Sequence, residues 1–532
     1  MGVAVLLYLG LLVAPWGVAG KTPETPSLTR ARERYFLQPL DHFASSAVPI
    51  LPQSFLVHTE FHKQPSDPII LYSVGERGIH TLDLQANNNW VVSLAKHINA
   101  AIVLLEHRFY GDSFPPTDNT DLKYLTVAQS MADTARFIKT ANLTWVLGQS
   151  VDSDHTRWLM VGGSYAGSLA VWTQYQYPEL HAFVWASSAP LKGLVDGYWQ
   201  FDEAVSRRLG CSAQLARAVQ AVDRILDSQD TRTIDRMKRE FGLASLDSPV
   251  DFAAALAGPV SAMAQAPAES KIQAQMSRFC SHLDTASARG PDDRDIVRGY
   301  ARALQEVTWT DRPAGQPGCP QGDDLSWFWQ QCTQIGLWQT SPEANSAESQ
   351  GYTLRLRSRR LTAEYFVEQC SRCFPQQHAA GFREGRGRRE MREFAASAVR
   401  EKRANEPADL VLSGGDLDPW HGLFLGTAQR GGLLWVAVEG ASHAEDLLPA
   451  SNTRRGVVRA QESVLRAAQA WLSATTNNPA AHRADAESAP HSGTFHRANG
   501  TFLGCALLFL QLLSIAICFR YGLLRMRDDE TS

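Results

Sequence analysis

The chain has 532 residues, 44% of them hydrophobic and 20% charged, with a formal net charge of −4. That is enough apolar material for a large core carrying a sizeable insertion, and it shows neither the charge excess of a disordered chain nor the basic excess that a nucleic-acid partner requires. Composition therefore excludes classes without naming an activity.

Residues 1–20 form an apolar run (Val5, Leu6, Leu7, Leu9, Leu11, Leu12, Val13) closing on Gly17, Ala19 and Gly20, which reads as a secretory signal peptide cleaved after Ala19 or Gly20. From Ile69 onward, short apolar runs alternate with helix-like segments. The pattern predicts strands over 69–74, 101–106, 158–161 and 183–187, and helices over 90–98, 127–140 and 165–177. Such alternation specifies an α/β fold, a mostly parallel sheet flanked by helices. Between about 195 and 400 the strand rhythm gives way to Ala-, Gln-, Arg- and Glu-rich helical stretches such as 212–225 and 296–308, a helical insertion expected to form a lid. Strand texture returns over 410–413 and 434–438, followed by an amphipathic helix over 457–472. The expected organisation is thus a core in two parts, 30–194 and 401–474, with the lid at 195–400 between them.

A polar stalk over 475–501 leads to an apolar segment at 502–524, about one bilayer thickness. Arg520, Arg525 and Arg527 place the tail 525–532 in the cytosol by the positive-inside rule, giving a single-pass protein whose bulk is luminal or extracellular. Endosome, lysosome and cell surface all fit this topology, and so does a homodimer. The sequons at Asn142 and Asn499 suit the same compartment. So do the cysteines. Cys505 and Cys518 lie in the apolar segment, while Cys211, Cys280, Cys319, Cys332, Cys370 and Cys373 all fall in the lid and are candidates for up to three disulfides, in pairings the sequence does not choose among. Cys370-Ser-Arg-Cys373 has the spacing of a redox or zinc half-site but no second pair beside it, so structural bridging is expected. No His-Glu-x-x-His or comparable cluster occurs, and neither metal nor cofactor is expected.

The chemistry concentrates in three places. Trp158-Leu-Met-Val-Gly-Gly-Ser164-Tyr-Ala-Gly reads as strand, sharp corner and helix start, the context of a nucleophile elbow, in which small neighbours must flank a strained nucleophile. The last position of the usual Gly-x-Ser-x-Gly pattern is Ala166, still small enough for the turn. A serine hydroxyl needs a base and an orienting acid, and in this fold they follow in the order Ser, Asp, His. Asp418, in Gly-Gly-Asp-Leu-Asp-Pro-Trp-His421, follows one late strand. His443, in Gly-Ala-Ser-His-Ala-Glu-Asp, follows the next. Asp416 competes as acid, but Pro419 fixes the chain beside Asp418. His421 competes as base, but it lies too close in sequence to either acid. The oxyanion donors are expected to be the backbone N–H groups of Tyr165 and, from the loop after the strand at 69–74, Gly75.

These segments, Gly162-Gly-Ser-Tyr-Ala-Gly-Ser-Leu-Ala, Glu106-His-Arg-Phe-Tyr-Gly111, Asp418-Pro-Trp-His and Gly440-Ala-Ser-His, with Trp327-Phe-Trp-Gln-Gln-Cys332-Thr in the lid, resemble the serine peptidase family of prolyl carboxypeptidase, dipeptidyl peptidase II and thymus-specific serine peptidase, the last being nearest in pattern. The resemblance runs from about Phe36 to Leu472. It implies an α/β-hydrolase with a helical, disulfide-bearing lid, exopeptidase action on short peptides next to proline, and a catalytic triad at Ser164, Asp418 and His443. Glu106 and Arg108 would then support the site, with a buried charged pair beneath the elbow as the purely structural account. Gln334 stands where relatives carry a glutamate, removing a carboxylate that could greet a substrate amine. The lid arginines (Arg355, Arg357, Arg359, Arg360, then Arg383, Arg386, Arg388, Arg389) could attract a peptide carboxylate, although a solvated basic loop or a processing site is the plainer expectation.

Overall fold

Eight strands form one sheet in the order β1-β2-β4-β3-β5-β6-β7-β8: β1 (Arg32–Pro39), β2 (Ile50–His58), β3 (Ile69–Ser73), β4 (Ala101–Leu105), β5 (Trp158–Gly163), β6 (Phe183–Ser187), β7 (Leu410–Gly415) and β8 (Leu433–Val438). Strands β3 to β8 are parallel. β1 and β2 run antiparallel at one edge. This computed structural model describes residues 32–477 apart from internal stretches, of which 376–407 is the longest. The expected signal peptide, Asn499, the segment 502–524 and the tail lie outside the described residues, as do Arg383, Arg386, Arg388 and Arg389. Among the described residues no helix is long and apolar enough to cross a membrane.

The six parallel strands are those the apolar runs predict, because helices on both faces leave almost no position for a polar side chain. β4 and β6 are buried at every residue. Helices α1 (Trp90–Ile98) and α12 (Arg455–Asn477) cover one face, packing Val91, Leu94, Val464 and Trp471 against Ile70, Ile102, Leu159 and Phe183. By strand alternation the neighbouring positions face the other way. There Phe137 of α2 (Val127–Thr140) makes edge contacts with Phe36, Phe55 and Trp158, beside α3 (Ser164–Gln176).

Pairing of Ser73 with Gly162, Gly163 with Ser187, Ser187 with Ser413 and Gly415 with Val438 brings the C-terminal ends of these strands into line. The loops that follow them therefore gather along one edge of the sheet, where ligands bind in open parallel sheets.

Between β6 and β7 stand the helices α4 (Gln200–Arg208), α5 (Ser212–Asp227), α6 (Thr231–Glu240), α7 (Pro249–Gln265), α8 (Ser270–Ala288), α9 (Asp293–Glu306), α10 (Asp323–Gln330) and α11 (Ala363–Cys373). Three disulfides staple them: Cys211–Cys280, Cys319–Cys373 and Cys332–Cys370. Cys370 and Cys373 thus bond to different partners rather than forming a redox or metal pair. Of the first arginine group, Arg357 is buried against Asp202, and Arg359 and Arg360 both pair with Asp227. Their charge is spent on lid carboxylates, so these three offer no open cationic patch for a peptide. Asn142 is exposed, just after α2.

Candidate active site

β5 ends at Gly163 and α3 begins at Ser164 with no linking residue, so the chain turns from strand to helix within one peptide unit. Ser164 takes φ +54°, a left-handed value that costs a side-chain-bearing residue energy and is retained where the surroundings enforce it. The flanking glycines are the enforcement. A Cβ on Gly162 would lie 2.5 Å from the Ala166 carbonyl carbon, and one on Gly167 would lie 2.9 Å from the Gly162 oxygen, so only glycine lets the first helical turn close down on the strand.

Asp418, in the turn after β7, is fully buried, and its two oxygens lie 3.0 and 2.9 Å from Nδ1 of His443. Its Oδ1 also accepts the Trp420 N–H at 2.8 Å, which fixes the carboxylate on the turn that Pro419 stiffens. Burial drags the His443 pKa down. The charge and hydrogen bond of Asp418, with further negative potential from Glu76 and Asp446, outweigh it and hold the imidazole above its ordinary 6.5. The competitors go elsewhere: exposed Asp416 accepts the Gly440 N–H at 2.7 Å, and Nδ1 of His421 faces the Gly415 carbonyl at 3.2 Å. The loop carrying His443 is seated on the elbow. A Cβ on Gly163 would lie 3.3 Å from that of Ala444, and the Ala444 N–H donates to Ser188 Oγ at 2.8 Å.

Gly75 follows β3 with φ +83°, and a Cβ built on it would lie 3.5 Å from the Ala166 Cβ, so this loop runs against the start of α3 beside Tyr165. The expected Glu106–Arg108 pair does not form. Arg108 instead forks onto Asp133 (Nε–Oδ2 2.6 Å, Nη2–Oδ1 2.7 Å) and donates to the carbonyls of Leu40 and Tyr124. Glu106 turns toward the loops, accepting from the Ile79 and Asp112 N–H groups, both at 2.9 Å, and from Ser113 Oγ at 2.6 Å. Strand alternation would put residues 106 and 108 on one side, but β4 ends at Leu105 and the chain bends away.

The lid reaches the elbow through a buried chain of polar groups. Tyr110 donates to Gln330 Oε1 at 2.6 Å, Gln330 Nε2 donates to the Tyr165 hydroxyl at 2.8 Å, and that hydroxyl lies 3.1 Å from His107 Nε2. Burial lowers the His107 pKa to about 4, so this histidine is neutral and only weakly basic. Gln334 Oε1 accepts the Val127 N–H at 3.3 Å, so this side chain falls on the start of α2. Gln330 lies inside the Trp327–Thr333 motif, but nothing in that motif singles it out, because its partners Tyr110 and Tyr165 are far away in the chain.

Residues 38–464 match the serine carboxypeptidase S28 family, the greater part of the chain. The chain belongs to this family. As an S28 member it is a serine-type peptidase, a hydrolase. The serine protease vicPa of Bipolaris victoriae is 24% identical over 86% of this chain and 92% of its own length. The human lysosomal Pro-X carboxypeptidase is 29% identical over a shorter stretch, 42% of this chain and 49% of its own. The proline iminopeptidase of Mycobacterium smegmatis, a solved structure, covers 83% of this S28 chain and 99% of its own at 12% identity and a TM-score of 0.34.

Proposed function

We propose that this S28 peptidase is an exopeptidase that hydrolyses short peptides next to proline through an acyl-enzyme on Ser164, with His443 as general base and then acid and Asp418 orienting it. The observation that carries the reading is the hydrogen-bonded Asp418–His443 pair seated against the strained Ser164 elbow. His443 takes the hydroxyl proton as Oγ attacks the substrate carbonyl, and Asp418 stabilises the resulting imidazolium. The backbone N–H groups of Tyr165 and Gly75 receive the oxyanion. His443 then gives its proton to the leaving amine, and water reverses the sequence to free the acid.

Action on short substrates is supported by the lid standing against the elbow, where Gln330 and Trp327 pack on Tyr165, the residue next to Ser164. Preference for proline is supported by the likeness to the Pro-X carboxypeptidase. Three disulfides and the exposed sequon at Asn142 support folding in the secretory lumen, and the apolar segment 502–524 supports a membrane anchor there.

The test is to treat wild type and Ser164→Ala with a fluorophosphonate probe and with proline-containing peptides whose ends are free or blocked. Loss of both labelling and cleavage in the variant is expected, and the blocked end that stops cleavage gives the exopeptidase direction. Equal labelling of the two proteins would remove Ser164 from the role.

A further inference from the structure

We infer that Asp323, at the first turn of lid helix α10, is a positioning residue for the oxyanion loop, so that the lid sets the geometry of the reaction as well as access to it. This rests on the reading of Gly75 as an oxyanion donor. Asp323 Oδ2 accepts the Gly78 N–H at 3.0 Å and Oδ1 accepts the Gly111 N–H at 2.9 Å. One carboxylate from the lid thereby ties together two core loops that lie more than 200 residues away in the chain.

The two loops are also in contact with each other. A Cβ on Gly111 would lie 2.7 Å from the Gly78 Cα and 2.0 Å from Glu106 Oε1, and Gly111 has φ +54°, so the backbones meet at a distance only glycine permits. Glu106 holds the same pair of segments from within the core, through the N–H groups of Ile79 and Asp112. The stretch from Gly75 to Ile79 lies between β3 and the short helical turn Thr81–Leu84, in neither a strand nor a helix. These carboxylates hold it together with its packing on Ala166 and with Arg77, which donates to the Gly78 carbonyl at 3.0 Å and forks onto Asp83. Asp323 is itself held, because the segment that carries it is tied to α11 at both ends, by Cys319–Cys373 before it and Cys332–Cys370 after it.

An oxyanion donor acts only when it sits about 2.7–3.1 Å from the developing charge, and a displacement of about 1 Å costs up to ~100-fold in rate. A loop relaxed by loss of one acceptor should therefore lower kcat while leaving ground-state binding nearly intact. Asp323→Asn tests this, since it keeps the size and one acceptor oxygen and gives up the second. Trp329→Phe is the companion variant: it removes a lid-to-core hydrogen bond, from Nε1 to the Leu125 carbonyl at 3.3 Å, that does not touch the oxyanion loop.

In the full-length protein, with the proline-containing peptide that wild type cleaves, Asp323→Asn is expected to lower kcat by about 10- to 100-fold, with KM within about threefold, and to slow fluorophosphonate labelling in parallel. Trp329→Phe should keep kcat within about threefold of wild type. Wild-type kcat in Asp323→Asn, a change in KM alone, or equal losses in the two variants would overturn the inference. Hydrogen exchange of wild type tests it without relying on any variant to fold: the Gly78 and Gly111 amides should be protected, and free exchange at both would overturn it. Failure of the underlying function is told apart by wild type itself, which would then take up no probe.

Discussion

Asp418 is buried with its charge facing His443, yet it is not the only carboxylate that biases that imidazole. Glu76, next to Gly75 in the loop after β3, also raises the His443 pKa through space, while its own pKa is raised by burial, with His443 and Arg77 opposing. A general base works only when neutral, so the acid limb of kcat/KM should follow the free-enzyme pKa of His443 and lie above 6.5. Replacing Glu76 by Gln removes a negative charge that favours the imidazolium. The acid limb of Glu76→Gln should accordingly move to lower pH, by roughly a few tenths to one unit. A pH profile of kcat/KM against wild type measures it, and a limb that stays put or moves up would show that Glu76 places no negative charge on the histidine.

At the scale of elements, the sheet was readable where physics leaves one solution and obscure where it leaves several. Strands β3 to β7 announce themselves as apolar runs because both faces are covered, the edge strand β8 is apolar although only partly covered, and the elbow is readable because its steric demands fall on adjacent residues. β1 and β2 were not anticipated. β1 mixes charged and aromatic residues, with Tyr35 and Leu37 exposed, and β2 carries Pro52 and Gln53, whose side chain is buried only because it bonds Gln38 and the Glu106 carbonyl. The partners of Glu106 were equally hidden, since two are backbone N–H groups that carry no sequence signature and the third is the hydroxyl of Ser113, one serine among many.

Their consequence is testable. Burial pushes the Glu106 pKa up to about 7 against three donated hydrogen bonds that pull it down, the nearby Asp112 adding to the rise, whereas the unfolded chain titrates near 4.5. The folded state then holds the proton more tightly, so this group's stabilisation is complete below about 4.5 and is lost as pH climbs through about 7. Tm of wild type should fall across that window relative to Glu106→Gln, whose side chain does not titrate. Parallel Tm curves for the two proteins would show that Glu106 is ionised throughout.

For the whole molecule, the lid touches each loop of the candidate site. Gln330 bonds Tyr165 beside Ser164, Gln265 accepts from Trp420 Nε1 at 2.7 Å beside Asp418, and Arg208 donates to Ser442 Oγ at 2.7 Å beside His443. If the lid served only as ballast, removing any of its disulfides would cost activity in proportion to stability. The two bridges Cys211–Cys280 and Cys332–Cys370 separate these effects. The first spans 69 residues and joins α5 to α8 within the helical mass, and the second spans 38 residues and ends two positions from Gln330. In the chain-entropy account a longer loop stabilises more, within a general range of about 2–5 kcal/mol per native bridge. Cys211→Ser with Cys280→Ser should therefore lower Tm at least as much as Cys332→Ser with Cys370→Ser. Well below either Tm, however, the second double variant should lose about tenfold or more in kcat/KM while the first stays near wild type, because only the second releases one end of the segment that carries Gln330 and Asp323, leaving it tied through Cys319–Cys373 alone. Thermal unfolding and steady-state kinetics on the same preparations decide it, and equal kinetic losses would mean that the lid shapes the site only by keeping the chain folded.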